Sequence, residues 1–88
     1  MGGEMTGVHI FWSRVDAIEK RRKYCSNCDA RRTFVMWFQE WYGWHVTCLG
    51  CGEQWQDGER LDRPFERGWR QQNIETARKL WKKHARPH

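Results

Sequence analysis

The sequence predicts a small α+β domain stabilised by a metal ion. It places a three-stranded antiparallel sheet in the middle, a short strand and helix before it, and an amphipathic basic helix after it. Three observations predict this. The four cysteines form two matched pairs, Cys25-Ser26-Asn27-Cys28 and Cys48-Leu49-Gly50-Cys51, nineteen residues apart. Between them, Thr33 to Trp41 is dense in β-branched and aromatic residues, as strands are. The last third opens on Asp62-Arg63-Pro64 and closes near Pro87, with apolar and basic residues at helical spacing between.

Each C-x-x-C turn presents two thiolates from a tight bend, and the intervening segment is long enough to go out and return as a hairpin. Cys25, Cys28, Cys48 and Cys51 therefore read as a tetrahedral four-sulfur site for one zinc ion. Iron, which accepts the same four sulfurs, stays an alternative. Disulfides belong with secreted domains, and the start Met1-Gly2-Gly3-Glu4-Met5-Thr6 has neither the basic stretch nor the apolar run of a secretory leader. A thioredoxin-like redox site wants a single pair opening a helix in a βαβ unit.

At 88 residues the expectation is one domain over 1–88, in three parts: 1–23, a metal module at 24–60, and 61–88. So short a chain has a marginal core. A structural zinc site supplies on the order of 10 kcal/mol of binding free energy that becomes folding free energy.

Val8-His9-Ile10-Phe11-Trp12 reads as a short strand. Ser13, three residues before Asp16, signals a helix running to about Arg22, with Val15 and Ile18 on one stripe. In the metal module, Tyr42-Gly43 predicts a two-residue turn. That turn would set Trp41 opposite Trp44, Gln39 opposite Val46 and Glu40 opposite His45. A third strand over Gln54-Trp55-Gln56 ends at Asp57-Gly58. The long strand is apolar on both sides, with Val35, Trp37 and Trp41 pointing one way and Phe34, Met36 and Phe38 the other, so both faces call for cover or one meets a partner. The final helix is predicted from about Pro64 to Ala85, on the order of 30 Å long. Phe65, Trp69, Ala77, Leu80 and Trp81 form its apolar face, and Arg67, Arg78, Lys79, Lys82 and Arg86 its basic one.

The net charge of +5 is uneven. Residues 25–58 carry two basic and four acidic groups, whereas residues 59–88 carry nine and four. A basic tail favours an anionic partner. Seven tryptophans supply core, stacking surfaces for bases, or anchors for a protein interface. No apolar run approaches membrane-spanning length.

The order Tyr24-Cys25-x-x-Cys28, strand hairpin, Cys48-x-x-Cys51-Gly52 resembles a zinc ribbon over roughly residues 22 to 58. The resemblance implies the two-hook, three-stranded fold and the four cysteine ligands. It implies function weakly, because ribbons serve transcription factors, polymerase subunits, ribosomal proteins and small bacterial or phage proteins alike. Eleven arginines against five lysines suit a GC-rich bacterial or phage genome.

The expected function is a nucleic-acid-binding module, a regulator of transcription type. Its binding residues are Arg21, Arg22, Lys23, Arg31, Arg32, Trp41, Trp44, Arg78, Lys79, Lys82 and Arg86: cations for phosphates, tryptophans for bases. The alternative is a protein-interaction regulator that docks on a larger machine such as RNA polymerase through tryptophan and arginine. No enzyme is expected, because four committed thiolates leave the metal no open position. Free thiolates on zinc suit a reducing interior, and thus a cytoplasmic protein.

Overall fold

The computed structural model describes residues 15–62 and 66–85. Five strands form one antiparallel sheet in sequence order: β1 (Ala17–Cys25), β2 (Ala30–Gln39), β3 (Gly43–Cys48), β4 (Gln54–Gln56) and β5 (Glu59–Leu61). Among the described residues one helix, α1 (Trp69–His84), packs on one side of the sheet. The expected Val8–Trp12 strand lies outside the described residues.

The sheet has five strands where three were expected, and the two additions have different causes. β1 occupies sequence expected to be helical. It pairs with β2 from Ala17↔Phe38 to Cys25↔Ala30. Asp16 does not start a helix. Its N–H donates to the Phe38 carbonyl, and its carboxylate accepts the Glu40 N–H at 2.8 Å. Val15, just before β1, and Ile18 within it both reach the core, but β1 is a largely polar edge strand and not a helix. β5 forms because Asp57 (φ 53) and Gly58 (φ 90) both take the left-handed conformation, the two-residue turn that closes Gln56 on Glu59.

The β2–β3 hairpin is corrected in register. Gln39 faces Gly43, Phe38 faces Trp44, Trp37 faces His45 and Met36 faces Val46. Trp41 therefore does not lie opposite Trp44, and neither Gln39 and Val46 nor Glu40 and His45 are partners. The loop is three residues, Glu40 to Tyr42, closed by a Tyr42 N–H to Gln39 carbonyl bond and by Gly43 at φ 82. Gly43 serves as the left-handed residue after a tight turn, which shifts the pairing.

Partners across the sheet share a face. On the helix side, Val35 and Trp37 are fully buried against Ala77 and Leu80, with Ile18, Leu49 and Trp81 around them. Farther along this side the buried residues turn polar: Gln54 donates to the Thr47 hydroxyl at 3.0 Å. The other side carries Phe34, Met36, Val46 and Trp55 clustered with the cysteines.

Helix α1 begins at Trp69, not near Pro64. Glu66 to Gly68 form bends and turns, and Gly68 caps the helix at φ 73. Its buried face is Asn73, Ile74, Ala77 and Leu80, so Asn73 and Ile74 join the expected Ala77 and Leu80. Trp69 and Trp81 are half-buried, and Phe65 lies outside the described residues. Among the described residues, no helix is long and apolar enough to cross a membrane.

Candidate metal centre and basic–aromatic surface

The two cysteine pairs sit in equivalent turns. Cys25 ends β1 and Cys48 ends β3. The residue after each second cysteine adopts the left-handed conformation, Asp29 at φ 56 and Gly52 at φ 80. Its N–H returns to the carbonyl of the first cysteine, at 2.7 Å for Asp29 to Cys25 and 2.8 Å for Gly52 to Cys48. Tyr24 braces the first turn by donating its hydroxyl to Asp29 at 2.6 Å. That bond raises the phenol's pKa.

All four sulfurs lie within 4.8 Å of one another. Cys25 and Cys51 are separated by 3.8 Å and Cys28 and Cys48 by 3.9 Å. Tetrahedral coordination at a metal–sulfur length of about 2.3 Å requires sulfurs about 3.8 Å apart, so the cluster can hold a metal ion and is compatible with zinc. The Gly50 N–H approaches the Cys48 sulfur at 3.4 Å. Burial pushes the Cys48 thiol up to about 12. A cation is what makes thiolates affordable in such a place.

Helix α1 secures the second turn. A Cβ on Gly52 would stand 2.3 Å from the Arg70 carbonyl oxygen, so only glycine permits this approach. Asn73 donates to the Gly52 carbonyl at 2.9 Å, and Arg70 donates to the Cys51 carbonyl at 3.2 Å. Arg70 also pairs with the buried Glu53 carboxylate at 3.1 Å, while Arg60 reaches it at 3.8 Å. Sequence reasoning missed Glu53, Arg70 and Asn73. Only Gly52, next to a cysteine, hinted that another backbone comes close.

The basic run of β1 is split by strand alternation. Lys20 and Arg22 share the helix side with Val35 and Thr33, whereas Arg21 and Lys23 share the opposite side with Phe34 and Arg32. Arg31 lies on the helix side and donates to the Arg22 carbonyl at 3.3 Å. Arg78, Lys79 and Lys82 are exposed on α1; Arg86 lies outside the described residues. A cleft of about 520 Å³ opens between β1, β2 and α1, lined by Lys20, Thr33, Val35, Leu49, Arg78 and Trp81. The Lys20 ammonium sits 4.6 Å from the Trp81 ring centre there. The expected binding residues are thus not one patch but lie on two sides of the sheet.

The expected tryptophans also differ. Trp41 is 81% exposed at the hairpin tip. Trp44 is 37% exposed and packs 5.4 Å from Phe38 between ring centres. With Met36, Val46 and Trp55, these rings form a partly exposed apolar row on the side away from α1.

Comparison with protein-family models, curated proteins and solved structures gives no match for this chain.

Proposed function

We propose that the chain is a nucleic-acid-binding module, a small regulator of transcription type, built as a ribbon-like fold around one zinc ion. The four sulfurs suit zinc through their separations, and a closed four-sulfur shell suits a structural ion in a protein that is not an enzyme. Zinc held by free thiolates suits the reducing cytoplasm.

One observation carries the binding reading. Lys20, Arg22, Lys23, Arg31, Arg32, Arg78 and Lys82 are all surface cations, and no salt bridge among the described residues engages them. Concentrated like charge repels itself and is relieved by an anionic partner. Phosphate backbones supply that charge at regular spacing.

Titrating salt into mixtures of the zinc-loaded protein with DNA or RNA tests this. Binding should be measurable at low ionic strength and fall log-linearly as salt rises. Absence of binding at low ionic strength ends the reading. The exposure of Trp41 favours the second reading, docking on a larger protein machine such as RNA polymerase. A partner that survives nuclease treatment in a pull-down would support that reading instead.

A further inference from the structure

Arg78 and Lys82 rise from α1, which covers the sheet side bearing Val35 and Trp37. The register sets Arg21, Lys23 and Arg32 on the other side, grouped around Phe34 at its cysteine end, while Met36, Phe38, Trp44, Val46 and Trp55 continue that side toward the hairpin, with Glu19 beside Met36. The apolar cluster on that side contains no residue of α1. Resting on the nucleic-acid reading, we infer that this sheet face is a platform for single-stranded nucleic acid, with bases stacked on Trp44 and Phe38 at its hairpin end and phosphates of the same strand on Arg21, Lys23 and Arg32 toward its cysteine end.

Two arguments lead there. Aromatic side chains lying across a sheet offer their rings to bases, and only unpaired bases have free faces to give. The sheet is also too broad to enter a duplex: five strands at about 4.8 Å span roughly 19 Å, against a major groove about 12 Å wide.

The charge on this face fits the same occupant. Arg32 has no carboxylate partner among the described residues, and Lys23 lies 5.9 Å over the Phe34 ring. Arg21 pairs with Glu19 at 3.1 Å, but both side chains are well exposed. A pair of that kind is held weakly and yields to a phosphate.

The experiment is fluorescence anisotropy with the full zinc-loaded chain and labelled mixed-sequence oligonucleotides, single-stranded and duplex, in DNA and RNA. Single strands should bind at least about tenfold more tightly than duplex of the same sequence. Contacts to three phosphates give a log–log salt slope of about −2. Trp44→Ala should weaken single-strand binding about tenfold, equivalent to about 1.4 kcal/mol. Lys23→Gln, on an exposed strand position, should flatten the slope by about 0.7 and reports independently if Trp44→Ala fails to fold. Lys83→Gln, at an exposed cation of α1, should leave the affinity within about twofold. Equal duplex binding, or a loss in the helix variant matching that in Trp44→Ala, overturns the platform and leaves the nucleic-acid reading standing. No binding to either form overturns both.

Discussion

The Arg70 guanidinium, in the first turn of α1, lies 3.1 Å from the carboxylate of Glu53, which is buried just beyond the second cysteine turn. The same side chain donates to the Cys51 carbonyl. One arginine thus joins the helix to the backbone of the second cysteine turn and neutralises a charge that water cannot reach. A helix with no cysteine of its own thereby becomes part of the support of the cysteine cluster.

Arg70→Ala should lower stability by about 2 kcal/mol. Stranding a buried carboxylate costs more than that when no other cation is near, but Arg60 remains within 3.8 Å and Arg70 is itself half-exposed. Urea unfolding of the metal-loaded protein, followed by tryptophan fluorescence, measures the loss. An unchanged midpoint would show that the pair does not hold α1 in place.

Two glycines at positive φ separate backbone strain from packing. Gly58 has nothing within 4 Å of a built Cβ, whereas at Gly52 the Cβ meets the Arg70 backbone. Gly58→Ala should cost about 1–2 kcal/mol, the left-handed penalty alone. Gly52→Ala should cost at least about 2 kcal/mol more, because two backbones must separate. Equal midpoints for the two variants would contradict the close approach.

Removing the metal should unfold the sheet at the cysteine end. Elemental analysis should find one zinc per chain, and colourless protein would set iron aside. A strong chelator should then abolish the cooperative transition, since the site contributes on the order of 10 kcal/mol. Metal-free protein that stays folded, with its sulfurs joined to one another, would sink the metal reading.

His45 stacks 5.3 Å from Trp37 between ring centres, and burial lowers its pKa from 6.5 to about 4. Between those values the unfolded chain takes up a proton that the folded chain excludes. Stability conferred by the neutral ring is therefore complete above pH 6.5 and is lost as pH falls toward 4. Between pH 6.5 and 5 the metal-loaded protein should lose about 2 kcal/mol. His45→Gln should lose markedly less over the same interval. Parallel stability–pH curves for the two would show that His45 is not the group responsible.

Trp37 and Trp41 stand at the two extremes of exposure, fully buried and 81% exposed. Trp37→Ala should cost about 3–5 kcal/mol. Trp41→Ala should change stability by less than about 0.5 kcal/mol, as surface replacements do. Thermal melts of the pair provide the check.

The metal centre was legible because its information is local. A C-x-x-C turn brings its two sulfurs together whatever the rest of the chain does, and the structure adds only that both turns meet. The third strand at Gln54–Gln56 was equally plain, bounded as it is by the second hook and Asp57-Gly58. β1 was not. Val15 and Ile18, three apart, fit a helical stripe, and the strand's alternation is hidden because Lys20 and Arg22 occupy inward-facing positions at a sheet edge. The basic run at residues 20–23 is continuous along the chain. Pairing with β2 divides it between two faces. The hairpin register failed on one residue, Gly43, whose positive φ serves a three-residue loop as readily as a two-residue turn.

The chain's local chemistry settles that four sulfurs can gather on one ion, that the middle is sheet, and that a basic amphipathic helix follows. These depend on spacings of a few residues, where steric and coordination rules leave little choice. The five-strand order, the seat of α1 on the Gly52 turn, the buried Glu53 and the gathering of Phe38, Trp44 and Trp55 on one side of the sheet all came from the folded arrangement. They depend on contacts between segments far apart in the chain, and no short stretch of sequence encodes those by itself.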